Sequence, residues 1–85
     1  MGLDILELVM AVEREFGIRL SDEALRRAET VSQLHECVVH ELGVTSPVER
    51  ERTWRKLVDI IEMETGVDRQ RIVPSARFIH DLDLS

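Results

Sequence analysis

From Leu3 to Phe16 apolar residues recur at spacings of three and four: Leu3, Leu6, Met10 and Phe16 mark one line, and Leu8, Val9, Ala11 and Val12 widen it into a stripe. Asp4, Glu7, Glu13 and Glu15 fall mostly outside that stripe, so the pattern predicts a helix over 3–16 that packs on one side and is acidic on the other. Asp4 and Glu7 complement the positive helix start, and Gly17 supplies the stop. Ile18-Arg19-Leu20 reads as an extended connection, after which Ser21-Asp22-Glu23 caps a short helix reaching Arg27 or Ala28. Thr30 with Gln33 forms a capping box, and Val31, Leu34, Val38 and Leu42 are the apolar ridge of a third helix that ends at Gly43. Ser46, Pro47 and Glu49 open a fourth helix, starting at Pro47 or nearer Glu51, with Trp54, Leu57, Val58 and Ile61 inward and Gly66 as its stop.

Beyond Val67 the periodicity is lost, and Pro74 forbids a helix through the middle of the segment. A long ordered loop is expected, anchored by burial of Ile72, Val73, Phe78, Ile79, Leu82 and Leu84.

Composition narrows the function. At 85 residues the chain makes one small domain, 1–85, burying about 60 to 65% of its unfolded surface. A net charge of -6 argues against nucleic acid and anionic membrane as partners and favours a basic patch on another protein. No apolar run approaches the roughly 18 residues of a membrane span, and no leader-like start precedes the first helix, so a cytoplasmic protein is expected. His35, His40 and His80 do not make a ligand set, since His35 and His40 lie five apart on a helix with Cys37 pointing away from both, and no metal is expected. Cys37 reads as a small buried or half-buried hydrophobe. No nucleophile, base and acid come together in the pattern, so an enzyme is not expected.

The stretch LDILELVMAVEREFGIRLSDEALRRAETV resembles the second half of an acyl carrier protein. The stretch WRKLVDIIEMETGVDRQRIVPSARFIHDLDLS is similar to that family's first helix and long loop, with GVDRQRIVPSARFIHDL matching the pattern Gly-Val, a polar run, then Phe-x-x-Asp-Leu. In the family the second of these comes first, so the order looks rotated: 3–43 matches the second half, 44–50 links the family's original ends, and 51–85 matches its beginning. The resemblance implies an all-α, acyl-carrier-like four-helix bundle, three longer helices and one short, circularly permuted at the prosthetic-group site. A link from Gly43 to Ser46 reaches about 13 Å, enough for helices packed about 8 to 10 Å apart.

The resemblance also implies site roles. The family's serine carries 4'-phosphopantetheine, and its place is taken here by Gly2. Ser85 sits where the family has the preceding aspartate, and two readings stand: an ordinary terminal residue, or an attachment point brought beside Gly2. Asp4, Glu7, Met10 and Glu13 match the face that docks on basic patches of synthase and transferase partners, although two exposed Glu are also what any solvated face carries. Leu8, Ala11, Val12, Leu20, Leu25, Ala28, Val31, Leu34, Val38, Phe78 and Ile79 match the interior that sequesters an acyl chain, and core packing accounts for the same residues. The function implied is an acyl carrier, or a carrier-like scaffold, for fatty acid or polyketide synthesis. The rival is a helical interaction module that cannot be loaded; a monomer is expected, with a helix-swapped dimer as the alternative.

Overall fold

The capping chemistry written into the chain forms where it is expected. A computed structural model describes residues 5–84, so the expectations on Gly2, Leu3, Asp4 and Ser85 lie outside the described residues. Four helices follow in order, α1 (Ile5–Phe16), α2 (Asp22–Arg27), α3 (Val31–Leu42) and α4 (Pro47–Thr65), with no strand among the described residues. The Ser21 hydroxyl accepts the Ala24 N–H at 3.1 Å and starts α2. The box at α3 is complete: Thr30 Oγ1 accepts the Gln33 N–H at 3.2 Å, and Gln33 Oε1 accepts the N–H groups of Thr30 and Glu29 at 3.0 and 2.8 Å. Ser46 Oγ accepts the Glu49 N–H at 3.1 Å, which sets the start of α4 at Pro47. Residues 47–50 are therefore the first turn of α4, the earlier of the two starts expected, and only Val44 to Ser46 join α3 to α4. Gly43 and Gly66 end α3 and α4 at φ 68° and 74°, with open space around each, so backbone conformation and not crowding requires glycine there.

Helix α4 packs against both α1 and α3, and its buried side chains Leu57, Val58, Ile60 and Ile61 meet Leu8, Val9, Ala11 and Val12 of α1 and Val31, Leu34 and Val38 of α3 in one core. The α1 stripe is rotated from expectation: Leu6 and Met10 are 60% and 58% exposed. At 3.6 residues per turn, two residues are about 200° apart, so a line through Leu6 and Met10 faces away from Leu8. Leu42 is likewise exposed, and Val39 takes its place in the buried ridge. Trp54, expected inward, is half-buried; its ring meets that of His35 edge-on at 5.3 Å, while Thr53 turns in and satisfies its hydroxyl on the Glu49 carbonyl at 2.7 Å.

The segment after α4 is the ordered loop expected, interrupted by a 3₁₀ turn at Arg69–Arg71. It crosses the start of α3 closely enough to bond with it: the Val31 N–H donates to Ala76 O at 3.0 Å, the Ser32 N–H to Pro74 O at 2.9 Å, and the Phe78 N–H to Glu29 O at 3.0 Å. Ile72, Ala76, Phe78, Leu82 and Leu84 are buried beneath it. Val73 and Ile79 are exposed instead of anchoring the loop, each next to a residue, Ile72 and Phe78, that is buried in its place. Arg69 ties the 3₁₀ turn to Asp59 and Glu62 of α4, and Arg71 holds the Asp81 carbonyl and pairs with Asp83.

His35 stitches α3 to the first turn of α4, its Nε2–H donating to Arg50 O at 3.2 Å. Burial pushes its pKa below the ordinary imidazole value, outweighing the hydrogen bond to Arg50. The unfolded chain thus binds a proton that the folded chain resists. Stability from neutral His35 is present in full above the unfolded value of about 6.5 and lost as the pH falls through and below it. Denaturant unfolding at a series of pH values is expected to show stability declining from pH 7 to pH 5, and His35→Gln to flatten that decline; an unchanged slope in the variant would remove His35 as its source.

Candidate functional site

A groove opens between the start of α1, the last turn of α2 and the Arg77–His80 turn, about 310 Å³ in volume. Ile5, Leu25, Ala28 and Phe78 line it, and the same four side chains line a narrower slot beneath, about 40 Å³, that continues inward to Leu8, Val9 and Leu34. The slot carries no charged side chain, so it is an apolar throat leading from the surface into the core.

One side of the groove is firmly built. Arg77 N–H donates to Asp81 Oδ2 at 2.7 Å, Arg77 O accepts the N–H groups of Asp81 and Leu82 at 2.9 and 3.1 Å, and the Leu84 N–H closes on Phe78 O at 2.9 Å. Asp83 sits at φ 57° between them, a left-handed conformation that the Asp side chain tolerates. The opposite wall, α2, is six residues long and has no buried residue. It is held by half-buried Leu25 and Ala28 and by the Cys37 Sγ–H, which donates weakly to Ala24 O at 3.7 Å. Burial pushes the Cys37 thiol up, with Glu36 adding to the effect, so it remains a protonated, hydrophobe-like side chain. Few buried anchors make α2 the wall that moves at least cost.

The expected interior residues divide. Leu8, Leu25, Ala28, Leu34 and Phe78 meet around the slot; Ala11, Val12, Leu20, Val31 and Val38 are buried elsewhere in the core. Ile79 is 59% exposed and stands on the groove's rim, not in the interior. Sequence reasoning missed Ile5, which the helical spacing to Leu8 and Val12 would have placed, put Val9 in the packing stripe but not at the site, and missed Arg26, Arg77 and His80, for which no local pattern exists.

On the outer face of α1, Glu7 and Met10 are exposed beside Leu6. Glu13 is half-buried, and its Oε2 accepts the Leu20 N–H at 2.8 Å across the turn that leaves α1. Its carboxylate is therefore engaged in the fold, unlike that of Glu7. Among the described residues no three His, Cys, Asp or Glu side chains are placed to hold a metal ion, and no helix is long and apolar enough to cross a membrane.

No protein-family model matches the chain, and no solved structure matches it. Over 32 residues, 38% of its length, the chain is 52% identical to acyl carrier protein 2 of Pseudomonas aeruginosa. That match spans 40% of the length of the curated relative. The partial match to an acyl carrier protein and the all-helical fold of the described residues agree with each other.

The two acidic residues of α1 are separable. Glu13→Ala leaves the Leu20 N–H without its acceptor and is expected to cost roughly 1.5 kcal/mol in urea unfolding, whereas Glu7→Ala stays within about 0.5 kcal/mol. Equal effects would show that the Glu13 bond adds nothing to the fold.

Proposed function

We propose that this chain is an acyl-carrier-like domain in permuted order, serving fatty acid or polyketide synthesis in the cytoplasm and presenting the outer face of α1 to synthase and transferase partners. The observation that carries it is the apolar throat between α1, α2 and Phe78, in a chain that is locally 52% identical to an acyl carrier protein. The permuted order is supported by the position of the chain's two described ends. Ile5 borders Phe78 across the groove, and Leu84 is bonded to the Phe78 carbonyl at 2.9 Å, so both ends gather at one site while Val44 to Ser46 close the other junction.

Docking falls to Glu7 and Met10, an exposed acid and an exposed apolar side chain on one helix, with Asp4 on the same face by sequence. Glu13 contributes charge from its fixed place. Such a surface meets a basic patch by steering, and its partners are carrier-dependent enzymes.

For 4'-phosphopantetheine the residues do not fit. The position that needs a hydroxyl is Gly2, and Ser85 offers one a place too early. This favours a second reading, a carrier mimic or interaction module that is not loaded. A swapped dimer belongs to the same reading, since α4 would keep its contacts with α1 and α3 if Val44 to Ser46 served as the hinge.

Incubated with a phosphopantetheinyl transferase and coenzyme A, the chain is expected to remain mostly unmodified by intact-mass spectrometry; complete addition of one arm would restore the loaded carrier. Changing Glu7→Lys is expected to weaken binding to a basic carrier-dependent enzyme about fivefold at low salt, the scale of one exposed ion pair. Unchanged affinity would remove α1 as the docking face.

A further inference from the structure

We propose that the groove binds a medium-chain fatty acid as the free carboxylate, without a covalent link, its alkyl chain along the groove's apolar side chains Ile5, Leu25, Ala28 and Phe78 and its head toward Arg26 and Arg77. The inference rests on the reading of this groove as an acyl site and adds the head group that it selects.

Positive charge on this protein is spent mostly in pairs. Seven of the ten arginines pair with a carboxylate. Lys56 bonds the Glu15 carbonyl at 2.8 Å and lies 4.9 Å from the centre of the Phe16 ring. Among the described arginines only Arg19, Arg26 and Arg77 lack an ion pair, and two of these three line the groove. On a chain of net charge -6, two guanidinium groups without a carboxylate partner stand at the rim of one groove. Glu29 also lines the groove and opposes them, leaving the rim with a net positive charge before His80 is counted.

The backbone of Arg77 is clamped by its bridge to Thr30 and by Asp81, so its guanidinium is displayed from a fixed base. Arg26 lies in the last turn of α2, a wall with little anchoring. A guanidinium fork matches a carboxylate in geometry as well as charge. At about 310 Å³ the groove is at the small end of ligand sites, roughly 300 to 1,000 Å³, which favours a medium-length chain. With Gly2 in the serine's place, such a ligand arrives free and not tethered.

The test is a nuclear magnetic resonance titration of the full chain at pH 7.5 with octanoate, 1-octanol and octyltrimethylammonium. Octanoate is expected to shift the amides of Ile5, Leu25, Phe78 and Ile79 saturably and to bind at least threefold more tightly than octanol. The double variant Arg26→Gln, Arg77→Gln, both exposed positions, is expected to lose that advantage while binding octanol as before. Equal binding of octanoate and octanol, or an unaffected double variant, would overturn the anion selection and leave the groove as an apolar chain site. No saturable shift with either would overturn both.

Discussion

The start of α3 is the joint on which the rest of the molecule depends. A helix leaves its first N–H groups without partners inside the helix, and here three in a row are met from outside: Val31 by Ala76, Ser32 by Pro74, and Gln33 by the Thr30 hydroxyl. Two of the acceptors belong to the segment after α4, whose own structure is limited to short turns. Bonding the helix start therefore also fixes the loop, brings Phe78 beside Glu29, and sets Leu82 and Leu84 into the core. The groove follows from the same joint, because one of its sides is the Arg77–His80 turn placed there.

Around this joint rigidity is uneven. The loop is pinned to α4 through Arg69 and to itself through Arg71, and α4 is buried against both neighbouring long helices. Helix α2 has none of this: six residues, one cap, no buried side chain. The proposed uptake of an apolar chain would need one wall able to yield without unfolding the others, and α2 is the least anchored wall. The outer face of α1, with Glu7 exposed, lies on a different side of that helix from Leu8 and Val9, so the proposed docking face and the proposed acyl site would not compete.

Much of this is legible in the chain because much of it is local. Thr30 with Gln33, Ser21, Ser46 with Pro47, and the glycines at 43 and 66 act within four residues of where they stand, and the structure forms each cap and stop. What failed was the choice of face. Leu6 and Met10 share a line with Leu3, but spacing defines a line without saying which side meets the core. Trp54 is large and apolar yet stops half-buried against His35, a contact made across 19 residues. The Glu13 bond to Leu20 passes across the turn at Gly17, and which arginines remain unpaired depends on where every carboxylate ends up, so neither leaves a sequence signal. In the aperiodic segment, Phe78 and Ile79 are indistinguishable by composition; only the bond from Phe78 to Glu29 decides which turns inward.

The permuted order is tested most directly by restoring the family's order. A chain would be joined from residue 85 to residue 2, with Met1 removed, Ser85→Asp and Gly2→Ser, and opened between Val44 and Thr45 so that α4 comes first. Incubated with a phosphopantetheinyl transferase and coenzyme A, it is predicted to fold with the same helical content and to gain one phosphopantetheine completely by intact mass. A folded but unmodified chain, or one that does not fold, would contradict the permutation.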